Sequence, residues 1–159
     1  MKTITMLIIV AACLMAGCHL DERDLEPPSI LGNGIATCPV ECEQFCLGDT
    51  IRFCYIFSDN QELGNYNIEI HNNFDHHTHS TSSVECDLDV DKEPINAWIF
   101  NQDYAIPPGS RNYMAQFAIP IPDDVDVGDY HFMIRLTDCS GWQQLRFVAI
   151  KLIPAVSSE

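Results

Sequence analysis

The sequence predicts an all-β domain, on two observations. Beyond the N-terminal apolar run no stretch keeps a helical apolar period over successive turns. Short runs instead alternate apolar with polar residues and end in Gly, Pro, Asn or Asp. Gly48-Asp49 opens a strand from about Thr50 to Ser58 with Ile51, Phe53, Tyr55 and Phe57 on one face, and Asp59-Asn60 closes it. Leu63 to His71 sets Tyr66, Ile68 and Ile70 against Asn67, Glu69 and His71 on the other face. Pro94 to Pro108 carries Trp98, Phe100 and Tyr104 among Asn96, Asn101, Gln102 and Asp103. It reads as a long ordered connection whose aromatics cover the core, with a sugar- or peptide-binding surface as the alternative. Arg111 to Ile121 alternates through Tyr113, Ala115, Phe117 and Ile119 before Pro120 and Pro122 stop it. Asp126 to Phe132 leads into Ile134, Leu136 and Asp138, with His131, Met133 and Arg135 on the face away from the core. Cys139-Ser140-Gly141 turns the chain into a last strand from Trp142 to Ile153.

The N-terminus has a separate logic. Met1-Lys2, an apolar run from Ile4 to Met15 and small Ala16-Gly17 form a secretion signal over residues 1–17, too short to span a membrane comfortably. Leu14-Met15-Ala16-Gly17-Cys18 resembles the lipobox of bacterial lipoproteins, with Met as a less usual choice three before the cysteine. That resemblance implies cleavage before Cys18 and a lipid on its thiol, so that the partner of this end is a membrane; an ordinary signal cut near Gly17 is the alternative. Residues 18–28 are polar, acidic and end in Pro27-Pro28, which reads as a tether. Acids just behind the cysteine resemble the export tag of surface lipoproteins. The expected location is the outer membrane, at the cell surface, with the periplasmic face as the alternative.

Loss of residues 1–17 leaves 142 residues, 7 of them basic and 23 acidic, a formal charge of −16. One domain over 29–155 accounts for that length. The charge would repel a polyanion, so nucleic acid is excluded as a partner. Six cysteines remain for an oxidising compartment, Cys38, Cys42, Cys46, Cys54, Cys86 and Cys139, and read as up to three disulfides. Six cysteines allow 15 pairings, among which spacing does not choose.

Asp126-Val127-Gly128-Asp129-Tyr130 matches D-x-G-x-Y and resembles the tyrosine corner of immunoglobulin domains. The resemblance implies an immunoglobulin-like Greek-key β-sandwich of about seven strands. Phe132 stands where an antibody domain has its second cysteine, so Cys54 has no standard partner. Gly48-Asp49-Thr50-Ile51-Arg52-Phe53, the run from Asn73 to Ser80, and the run from Gly128 to Asp138 followed by Gly141-Trp142 together resemble a family of uncharacterised Bacteroidetes lipoproteins with one such domain, over roughly residues 28–153. That resemblance implies a fold and an envelope setting, and no activity.

Chemistry concentrates in one place. His71, His76, His77 and His79 fall within nine residues, with Asp75 among them. With the immunoglobulin strand letters, the strand of His71 is C and that of His131 is F, antiparallel neighbours whose histidines face outward at one edge. A metal centre needs three or four converging donors, and the chain offers His71, His77, His79 and His131, with His76, Asp75 and Glu69 in reserve. Imidazoles suit Zn(II) or Cu(II). His76 and His77 are adjacent, so one of them is expected to face away; sequence leaves open which. A structural polar cluster and a ligand-contact loop remain the other readings, and His19 lies in the tether without such context. Phe74 reads as a packing anchor for the loop. Asp87-x-Asp89-x-Asp91 opens like an EF-hand but has Lys92 and Trp98 where Gly and Glu are needed, so it reads as a solvated acidic loop. No nucleophile, Walker or dinucleotide signature is present.

The functional expectation is therefore a non-enzymatic, lipid-anchored envelope protein whose histidine loop binds a transition metal in a structural or sequestering role. The alternative is a surface adhesion module for a glycan or protein, with structural histidines.

Overall fold

The computed structural model describes residues 23–31, 37–78 and 85–155. The signal over 1–17, Cys18, His19 and His79 lie outside the described residues. Among those described, eight strands form two sheets and there is no helix, so the chain is an all-β sandwich. The strands are β1 (Ser29–Leu31), β2 (Glu43–Cys46), β3 (Thr50–Ser58), β4 (Leu63–Asn72), β5 (Phe100–Ala105), β6 (Asn112–Pro120), β7 (Gly128–Asp138) and β8 (Gln143–Ile153). One sheet has the order β1-β3-β6, the other β2-β8-β7-β4-β5. With β3 as B, β6 as E and β4, β7 and β8 as C, F and G, this is the immunoglobulin-like arrangement. The N-terminal edge is divided: β1 runs antiparallel to β3, whereas β2 runs parallel to β8.

The alternation in sequence becomes the core. Ile51, Phe53, Tyr55 and Phe57 of β3 are buried, facing Tyr66, Ile68 and Ile70 of β4 and Tyr130, Phe132, Ile134 and Leu136 of β7. Phe53 sits at the centre of an aromatic group with Tyr66, Phe117 and Phe132. The tyrosine corner forms: the Tyr130 hydroxyl donates to the Asp126 carbonyl at 2.7 Å and accepts from the Trp98 N–H at 3.2 Å. Gly128 is required there. Its φ is +125°, and a Cβ would meet a Phe74 ring carbon at 3.0 Å.

Three differences from the sequence reading stand out. The connection expected over Pro94 to Pro108 contains β5, which pairs with β4 from Asn65↔Ala105 to Ile70↔Phe100. Its aromatics do cover the core, with Tyr104 stacked on Tyr66 at 5.0 Å and Trp98 buried. The acidic loop is exposed, as the sequence predicts, but it is also tied down: Asp89 takes Lys151 at 2.8 Å and Asp91 takes His76 at 2.6 Å. Of the six cysteines, Cys42 and Cys86 form one disulfide, and Cys38, Cys46, Cys54 and Cys139 are thiols.

Candidate metal centre

β4 and β7 are hydrogen-bonded neighbours, and their register places His71 directly opposite His131. Both project from the outer face because Ile70, Phe132 and their alternates occupy the core face. The outer face of β7 is nonetheless covered: His131 is 8% and Met133 6% exposed, with the rings of His77 and Phe147 packed on His131.

Beyond Asn72 the chain folds back over this pair. Asn73 N–H donates to the Asp129 carbonyl at 2.8 Å, and Phe74 is buried edge-on against Tyr130 with the Lys92 ammonium over its ring. Phe74 is thus the packing anchor of the loop. His76 then adopts a φ of +52°, a left-handed conformation uncommon outside glycine. That turn separates the two adjacent imidazoles. His76 swings to Asp91, with its Nε2 3.9 Å from Asp129, while His77 swings back over β4 and β7.

The result is a cluster of three imidazoles, His71, His77 and His131, each with a ring nitrogen within 4.8 Å of the others. Ring centroids are 5.5 Å apart for His71–His77, 5.5 Å for His71–His131 and 5.1 Å for His77–His131. The two Nε2 atoms of His71 and His77 approach to 3.4 Å. On the far side of each ring stands a carboxylate: Asp75 Oδ1 at 2.5 Å from His77 Nδ1, and Glu69 Oε1 at 3.1 Å from His71 Nδ1. At His77 the hydrogen-bonded Asp75 carboxylate favours the proton on Nδ1, which turns the Nε2 lone pair toward the cluster. The Asp75 carboxyl is held below its ordinary range by the His77 hydrogen bond, which outweighs desolvation.

Among the residues singled out from sequence, the structure therefore gathers His71, His77 and His131. Asp75 sits behind His77 and Glu69 behind His71, each facing an imidazole rather than the centre of the cluster. His76 faces away and is outside the group. A pocket of about 120 Å³ beside the Cys42–Cys86 bridge contains Lys151, but its ammonium is engaged by Asp89 and by Asp129 at 3.3 Å. Burial opposes that charge, yet the two carboxylates outweigh it and raise the Lys151 pKa, so the amine stays a cation.

The model of the family described as a domain of unknown function, DUF4625, matches residues 16–153, and the chain belongs to that family. No curated protein matches the chain.

Proposed function

We propose, for this member of the DUF4625 family, a non-enzymatic envelope lipoprotein whose sandwich holds a transition-metal ion between His71, His77 and His131. The observation that carries this reading is the 3.4 Å separation of the His71 and His77 Nε2 atoms. Tetrahedral donors at about 2.0–2.1 Å from zinc lie about 3.3–3.4 Å from one another, so these two nitrogens already have the spacing of ligands. Asp75, hydrogen-bonded to His77, supplies the kind of outer partner that metal-binding histidines use to fix tautomer and orientation, and Glu69 stands 3.1 Å from His71 Nδ1. Zn(II) or Cu(II) suits an imidazole set. His79 is the sequence's candidate for a fourth donor; a shell of four protein donors would make the role structural or sequestering. Lipidation at Cys18 would hold the domain at the outer membrane, facing the cell surface.

The test is metal content and thermal stability of the purified protein with and without chelator. Binding to the folded form alone stabilises by about 2.7 kcal/mol at a hundredfold excess over Kd. The expected result is stoichiometric zinc or copper and a chelator-sensitive melting temperature, both lost in a His71→Ala, His77→Ala double variant. Absence of metal and of any shift in the parent protein would contradict the reading.

A second reading, a surface module that binds a protein partner, is favoured by one observation. Val90, Ile95 and Ile99, on the segment between the disulfide and β5, are 89%, 93% and 74% exposed. Aliphatic side chains grouped so openly on one segment are a feature of interaction surfaces. Substituting the three by Ser distinguishes the readings, because it would abolish attachment to a partner and leave metal binding intact.

A further inference from the structure

A second cluster lies at the other end of β7, seven residues from His131, roughly 23 Å along the strand. Asp24 precedes β1, Asp59 follows β3 and Asp138 ends β7, and one oxygen of each lies within 4.8 Å of the others. All three residues are at least nine-tenths buried. In each, Oδ1 is fixed by a short-range bond: Asp24 accepts from the Glu26 N–H and the Asn60 amide, Asp59 from the Gln61 N–H, and Asp138 from the Trp142 N–H. In each, Oδ2 is sealed from solvent and has no hydrogen-bond partner. Among the described residues no lysine, arginine or histidine pairs with any of the three.

Three carboxylates so close repel one another, and a buried oxygen without a partner costs about 1–3 kcal/mol, more when charged. Burial pushes the Asp24 carboxyl up, but its polar surroundings, first the hydrogen bonds from the Glu26 N–H and the Asn60 amide, outweigh it and hold the group below its ordinary range. Asp24 is thus an anion in this setting. What reconciles three buried carboxylates gathered at one place, each with an unpartnered oxygen, is a hard cation among them.

We propose that Asp24, Asp59 and Asp138 bind a calcium ion that fastens the N-terminal segment to the end of the sandwich. Oxygens on a calcium shell of about 2.3–2.6 Å radius stand at most about 4.6–5.2 Å apart, which accommodates this set. An all-oxygen set excludes the preference for zinc or copper expected at the histidines, and magnesium, which keeps several waters, does not suit oxygens from which solvent is excluded. The surrounding backbone is built for close approach. β4 is bulged between Leu63 and Asn65, and a Cβ on Gly64 would meet the Asp138 carbonyl oxygen at 2.9 Å. The indole of Trp142 donates to the Asp24 carbonyl at 3.2 Å, which places an aromatic reporter beside the site.

The experiment titrates full-length protein with terbium, then calcium, reading terbium emission sensitised by tryptophan alongside the melting temperature. Expected are saturable emission displaced by calcium, calcium affinity in the range of about 10⁻⁴–10⁻³ M seen for extracellular modules, and a rise in melting temperature. Trp142→Phe removes most of the emission and leaves the thermal shift. Asp24→Asn, which alters no strand, and Asp138→Asn each weaken calcium at least tenfold, whereas His71→Ala, His77→Ala leaves it unchanged. Should Asp138→Asn not fold, Asp24→Asn and the parent titration still decide. Absence of sensitised emission and of a shift well above millimolar calcium would overturn the proposal, as would an equal shift with magnesium.

Discussion

At His76 and His77 two adjacent residues of one type acquire opposite fates. The left-handed φ at His76 sends its ring to Asp91, and His77 goes to the cluster over β4 and β7. His76→Ala should therefore leave zinc affinity within a few-fold of the parent by calorimetry. Asp75→Asn should weaken it by about 10- to 100-fold, the usual effect of removing an outer carboxylate from a ligating histidine. The same pair governs a pH effect. Asp75 is depressed in the folded state, chiefly by the His77 hydrogen bond, so its contribution is complete above the unfolded carboxyl pKa of about 3.9 and is lost as pH falls through the lower folded value. NMR titration should show the Asp75 midpoint rising toward the ordinary value in His77→Ala; an unmoved midpoint would contradict the pairing. The His71–His131 meeting was legible in sequence, because alternation fixed both faces and the tyrosine corner fixed the strands. The choice between His76 and His77 was not, since it depends on one backbone dihedral that residue type does not dictate.

The long elements were legible and the short ones were not. β3, β4, β6, β7 and β8 each carry four or more alternating positions, and their observed ends fall within a residue or two of the expected ones. β1 and β2 span 3 and 4 residues, too few for a period to show, and their places on β3 and β8 follow from long-range pairing. β5 hides for another reason: it is an edge strand whose polar residues serve a neighbour, the Asn67 amide donating to Asn101 at 2.8 Å and to Asp103 at 2.9 Å. Two contacts between elements yield stability predictions. Tyr130→Phe removes the hydroxyl that joins Asp126 to Trp98 and should cost about 1–3 kcal/mol in urea unfolding. Gly64→Ala would press a methyl group against the carbonyls of Thr137 and Asp138 and should cost about 1–3 kcal/mol. A neutral outcome for Gly64→Ala would show that β4 and β7 can separate there.

Across the whole molecule, the two ends of one β-sandwich carry donor sets of different hardness. Imidazoles gather where β4 ends and β7 begins, and carboxylates where β3 and β7 end. The Cys42–Cys86 bridge encloses a separation of 44 residues and ties the acidic loop to the start of β2, beside the histidine end. Cys42→Ser should lower the unfolding free energy by about 2–4 kcal/mol, measured by denaturant titration against the parent. An unchanged midpoint would mean that Lys151, Asp89 and Asp129 hold this loop without the bridge. Sequence left 15 pairings open because the partners come from segments without periodic structure. Whether the three imidazoles share one ion is read by X-ray absorption at the metal edge of the zinc-loaded protein. The expected first shell holds three or four imidazole nitrogens at about 2.0–2.1 Å, reduced by at least one in His131→Ala. A first shell of oxygens, or an imidazole count unmoved by that substitution, would contradict it.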